Sequence, residues 1–177
     1  MYTDTITLFN RKENRSGDIW YPSILHNVNL NVDKAEIIAK YGAESKDAST
    51  LNVKYAVSGN QKIIGGKVWL PPKEWDALVD PSECLTFTAG ESFDFFWLGE
   101  WEGTEPIYSE NYAWKNGFYN YMNDMYDFVF AISSVGGPYT VIPHFEILGK
   151  YDMAKTSFKI KSRSKRAWSG HGTLVYN

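Results

Sequence analysis

Apolar and polar positions alternate from the first residues of the chain. Between residues 2 and 9, Ile6 and Leu8 share one side and Thr5 and Thr7 the other, which predicts a strand rich in β-branched residues. Residues 10–18 are polar and predict a turn. Over residues 24–32, Ile24, Val28, Leu30 and Val32 share one parity while Asn27, Asn29 and Asn31 share the other, the cleanest half-buried strand in the chain. His26 falls on the apolar parity and is read as a buried, hydrogen-bonded structural histidine. Residues 33–41 read as a short helix or a continuation of the strand, ended by Gly42.

Leu51, Val53, Tyr55 and Val57 alternate again, and Ser58-Gly59-Asn60 predicts a hairpin turn into residues 63–70, with Gly65-Gly66 as a bulge or kink. Residues 72–78 predict a short helix with proline in its first turn. Residues 85–87 and 93–98 are strand candidates, and residues 99–116 read as an acidic, aromatic loop. Phe118, Tyr121, Met122, Met125 and Tyr126 fall at helical spacing and mark one apolar stripe. Residues 128–135 and 139–148 predict a second hairpin around Gly136-Gly137-Pro138, ended by Gly149. The sum is a mainly β protein: a small barrel or sandwich with long loops and one or two short α-helices. A β-rich domain is expected over residues 1–149, and a basic, weakly patterned arm that orders on a partner over residues 150–177.

With 177 residues, a chain of this kind can bury a core without disulfides or metal. Its one cysteine, Cys84, sits beside Glu83, whose charge raises a thiol pKa, so a packed and inert thiol is expected. The three histidines show no zinc spacing, and no stretch approaches the ~18 apolar residues that span a membrane. The first residues lack the basic and apolar regions of a signal peptide. Neither Gly-Gly pair has a phosphate-binding pattern, and the serine motif of hydrolases is missing. No cofactor is expected.

The net charge of −3 is a cancellation. Residues 74–127 hold twelve acids against Lys115 alone, whereas residues 150–166 hold seven bases against Asp152. Such segregation bears on partners rather than on fold, and suggests complementary patches suited to contacts between copies. Aromatic residues make up 16% of the chain, and many sit among the acids. Glu91, Asp94, Trp97, Glu100, Trp101, Glu102, Glu105 and Glu110 are the candidates for an acidic, aromatic interface. In the basic arm, Lys155, Lys159, Lys161, Arg163, Lys165, Arg166 and Trp168 are candidates for contact with a partner or with DNA. Three other chemistries remain open for the acidic stretch. Paired carboxylates beside tryptophan suit a glycosidase using two of Glu91, Asp94, Glu100 and Glu102. Exposed aromatic rings suit a noncatalytic carbohydrate-binding module. Carboxylates would also suit calcium, without an EF-hand pattern to support it.

Three stretches carry a resemblance. The strand at residues 2–10, followed by a polar insert, Trp20 and the alternating strand at 24–32, resembles the start of tailed-phage neck proteins, the head-closure and head–tail joining family. Residues 128–150 (FVFAISSVGGPYTVIPHFEILGK) and 32–42 (VDKAEIIAKYG) look like segments of minor structural proteins in prophages of Gram-positive hosts. The resemblance implies a small β-barrel with long loops and no catalytic residues. It also implies a virion protein assembled in the host cytoplasm, which forms an oligomeric ring between portal or adaptor and tail proteins and helps close the DNA channel.

Overall fold

The computed structural model describes residues 1–32 and 47–151. The element expected over residues 33–41 and the basic arm beyond residue 151 lie outside the described residues.

Eleven strands are described: β1 (Asp4–Lys12), β2 (Ile19–Val32), β3 (Asp47–Lys54), β4 (Ala56–Ser58), β5 (Gln61–Ile64), β6 (Lys67–Trp69), β7 (Cys84–Leu85), β8 (Phe95–Trp97), β9 (Ile107–Tyr108), β10 (Val129–Tyr139) and β11 (His144–Lys150). Helix α1 (Pro72–Asp76) follows β6. A 3-10 segment (Ser109–Lys115) and helix α2 (Phe118–Met125) lie between β9 and β10. Six strands run in the order β1-β8-β10-β11-β3-β2, and β2 pairs back onto β1, closing a barrel. Every neighbour in that ring is antiparallel, which an even strand number permits. Closure leaves these strands no free edge. The short β9 adds to the start of β2, and β4 to β7 form a separate four-stranded sheet inserted between β3 and β8. Of the barrel or sandwich expected from the alternation, the barrel is the fold, with the short helices in its connections.

The alternation sorts consecutive residues into two cores. Ile6, Leu8, Leu51, Val53, Phe96, Phe130, Phe145 and Ile147 belong to one cluster. Their sequence neighbours Phe9, Phe95 and Val129 belong to a second, with Trp20, Ile107, Phe118 and Met122, beneath α2 and the 3-10 segment. Phe9 and Phe95 stack across the β1–β8 pair at 4.8 Å between centroids, while Phe118 meets both rings from the helix. The helix has eight residues and no side-chain cap. An isolated helix that short is not stable in water, so this aromatic packing holds it.

Several local expectations are corrected. β2 begins at Ile19 rather than Ile24, and its parity reverses at a bulge. Between Asp4↔Val28 and Ile6↔Leu25, β2 spends one more residue than β1, with Asn27 in the left-handed region at φ 58°. Leu25 and Val28 thus both reach the core, and His26 is exposed, its Nδ1 3.1 Å from Thr5 Oγ1. The two Gly-Gly pairs exchange roles. Gly65-Gly66, expected as a bulge, is the two-residue turn joining β5 to β6, both glycines at positive φ. Gly136-Gly137-Pro138, expected as a turn, lies inside β10 at a register shift, and the chain reverses only at residues 140–143. β11 continues through Gly149 to Lys150. In the helical stripe, Phe118 and Met122 are fully buried, whereas Met125 is 55% exposed and Tyr126 has left the helix for extended backbone. The 99–116 segment is not wholly loop, since it contains β9 and the 3-10 turn.

Candidate functional site

The most chemically distinctive surface forms where β8 ends. Trp97, the last residue of β8, pairs with Thr7 of β1 on one side and with Val129 of β10 on the other. The chain then turns sharply, and the Leu98 N–H donates to the Phe128 carbonyl at 3.1 Å. Thr7 fixes the segment that follows. Its hydroxyl, buried on the outer side of the barrel, donates to the Gly99 carbonyl at 2.8 Å and accepts from the Trp101 N–H at 3.0 Å. Trp101 then packs edge-on against Phe9 and Phe118, with centroids 5.7 and 5.3 Å away. Glu100 is held between these two anchored positions with its side chain in water.

Tyr126 extends the wall that Trp97 begins. It caps the end of α2, its N–H donating to Met122 O at 2.9 Å, and its ring lies 4.7 Å from that of Trp97 at 49°. Trp97, Trp101 and Tyr126, with Glu100, Glu102 and Gly103, enclose a half-open cleft of about 340 Å³. Burial, followed by Tyr121 and Glu102, pushes the Tyr126 phenol up. Among the described residues, Glu100 and Glu102 form no ion pair, and no Lys, Arg or His lines the cleft. Lys115, the one base among residues 74–127, is engaged by Asp124.

The other predicted acidic residues go elsewhere. Asp94 is not surface at all. It is buried, and its carboxylate accepts from Asn10 Nδ2 at 2.9 Å, Arg11 N at 2.8 Å and Thr88 N at 2.8 Å, tying β1 to the strap before β8. Burial lifts this carboxyl up to about 7, against the three N–H donors that pull it down. As an interface residue or a surface acid it is ruled out by position. Glu91 and Glu105 are exposed away from the cleft, and Glu110 borders a separate open depression with Ser16, Gly17 and Asp18. The four carboxylates considered for a glycosidase thus do not share one pocket: only Glu100 and Glu102 line the cleft. Among the described residues no three His, Cys, Asp or Glu gather as metal ligands, and no helix is long and apolar enough to cross a membrane. Cys84 is half-buried, and burial followed by Glu83 raises its thiol pKa.

Sequence reasoning singled out Trp97, Glu100, Trp101 and Glu102, which lie within six residues of one another. It missed Tyr126, read as core because it extends a helical stripe, and Thr7, read only as the side of a strand opposite Ile6 and Leu8. The one available signal for Tyr126 was a polar-tipped ring at the end of that stripe.

The fold and the cleft define a class: a small, closed antiparallel barrel whose β8–β10 connections build an acidic, aromatic surface beside one end of β10. The chain belongs to the family of unknown function DUF6751, whose model matches residues 1–150 and so ends where β11 ends. No curated protein matches the chain, and no solved structure does.

Proposed function

We propose that this chain is a noncatalytic structural subunit of the tailed-phage neck, a ring component between portal and tail that helps close the DNA channel. The observation that carries the reading is the placement of two unlike surfaces at the two ends of β10. Near Val129 lies the acidic, aromatic cleft; beyond Tyr139 projects a hairpin tip on which Val141 and Ile142 are 97% and 65% exposed. Unlike surfaces on one subunit suit heterologous, head-to-tail contacts, which close into rings when the rotation allows. Tryptophan, tyrosine and apolar tips are the side chains that anchor such contacts. The closed barrel agrees with the architecture that the neck resemblance implies. On this reading Lys155, Lys159, Lys161, Arg163, Lys165, Arg166 and Trp168 meet a neighbouring subunit or packaged DNA, and the mature location is the virion.

The test is assembly. The full chain, alone and with any portal and tail proteins found encoded beside it, is followed by native mass spectrometry and electron microscopy. Rings are expected, and Val141→Ser with Ile142→Ser should reduce them without unfolding the subunit. A chain that stays monomeric with all of those partners present would sink the reading.

A sugar-binding module is the second reading, favoured by the three aromatic walls of the cleft. A glycan panel followed by tryptophan fluorescence separates the two, because the neck reading expects no response.

A further inference from the structure

We infer that the cleft between Trp97, Trp101 and Tyr126 is a receptor for a guanidinium group, taking an arginine side chain presented by a partner protein. The inference does not depend on the neck reading. It rests on three features that coincide in one half-open volume.

The first is the walls. Trp97 and Tyr126 stand at 49° to each other with centroids 4.7 Å apart, and Trp101 faces the same space. Trp97 and Tyr126 touch and make one continuous aromatic wall, with Trp101 beside it; an indole bordering the cleft attracts a cation, and a planar guanidinium can also stack on it. The second is charge. Two carboxylates, Glu100 and Glu102, rim the space, and no described Lys, Arg or His lines it. Neither forms an ion pair with another described residue. A guanidinium brings donors in the fork geometry that fits a carboxylate. The third is preorganisation. Thr7 bonds both sides of Glu100, at Gly99 O and Trp101 N, and Trp101 is wedged against Phe9 and Phe118. The cleft therefore does not have to be assembled when its ligand arrives.

Charge, rather than hydrogen-bonding capacity, favours a cation over a neutral sugar: the two indoles and the Tyr126 phenol can donate, but two carboxylates at the rim favour a positive group. The volume, about 340 Å³, suits one side chain rather than an oligosaccharide.

The experiment titrates the full-length protein with N-acetyl-argininamide and, in parallel, with N-acetyl-citrullinamide, its neutral near-isostere, following tryptophan fluorescence. Saturation with the arginine compound is expected, at least ten-fold tighter than with citrulline. The double variant E100Q and E102Q, which alters only exposed side chains, should weaken the arginine midpoint at least ten-fold and leave the far-UV spectrum unchanged. Equal response to arginine and citrulline, an unchanged midpoint in the double variant, or no saturation at all would overturn the inference. A saturable response to a neutral oligosaccharide with none to arginine would overturn it and assign the cleft to sugars. Failure of this titration would leave ring assembly through the hairpin tip unaffected, so the two ideas fail separately.

Discussion

A Cβ placed on Gly99 would lie 2.4 Å from Cζ2 of Trp97 and 2.6 Å from its Cε2. The indole folds back over the glycine two residues later, into space that any other residue would occupy. The backbone of Gly99 needs no special φ, so the requirement is one of room. Gly99→Ala is expected to push Trp97 out of the cleft wall and to cost about 1–3 kcal/mol as an overpacking defect. Near-UV circular dichroism should lose part of its tryptophan signal, and the arginine titration should lose its saturation. An alanine variant that kept both would show that Trp97 can move without consequence.

Thr7→Val tests the clamp. Valine keeps the shape of threonine but removes the hydroxyl that serves Gly99 O and Trp101 N. Two backbone groups in a part-buried place then lose their partner, at about 1–3 kcal/mol each where water does not replace it. The midpoint of urea unfolding should fall, and hydrogen exchange should rise at residues 99–101 while the barrel strands keep their protection.

Asp94 makes stability depend on pH, with a sign opposite to that of a salt-bridged acid. Its folded-state pKa is lifted from 3.8 to about 7, so between those values the folded protein holds a proton that the unfolded chain has lost. The contribution is fully present below about pH 4 and is lost as pH rises through 7. Melting temperatures of the wild type should therefore drop across that window by a component missing in Asp94→Asn. The same variant should be less stable than the wild type at pH 7, because an amide presents one acceptor where the carboxylate serves three N–H donors. A pH profile identical in the two proteins would exclude Asp94 as the source.

Phe118 is the post on which α2 stands. It is fully buried and meets Phe9, Phe95, Trp101, Tyr112 and Tyr121. Phe118→Ala is expected to cost about 3–5 kcal/mol, whereas Met125→Ala, on the exposed side of the same helix, should stay within about 0.5 kcal/mol. Thermal denaturation checks both. Comparable losses would mean that the helix docks by some other contact.

How much of this was legible depended on distance along the chain. The cleft residues Trp97, Glu100, Trp101 and Glu102 were visible because they are neighbours in sequence. Tyr126 was not, because only the path from α2 into β10 brings it against Trp97. Asp94 was grouped with the surface acids by composition alone. Its burial follows from the strap at residues 86–94 lying over β1, where Asn10 and Arg11 wait with N–H groups. The two Gly-Gly pairs were misassigned in opposite directions for one reason. A tight turn and a β-bulge both place residues at positive φ, and glycine serves either equally. Which occurs is decided by the partner strand: β6 pairs directly back on β5 after Gly65-Gly66, while β11 keeps pairing with β10 past Gly136.

The sequence by itself determined the alternation, hence the strands, their mainly β class and the two short helices, because a period of two or 3.6 is a local property that burial imposes on any such chain. It also determined the concentration of carboxylates and indoles after β8. Tertiary structure alone decided that β1 pairs with β8 and β3 with β11, which closes the barrel, since these pairings join strands far apart in the chain by backbone groups that every sequence carries. It alone decided the bulge at Asn27, which lets Leu25 share the core with Val28 and leaves His26 outside. And it alone decided which acids remain in water and which is enclosed, because burial is a relation between segments that no single segment encodes.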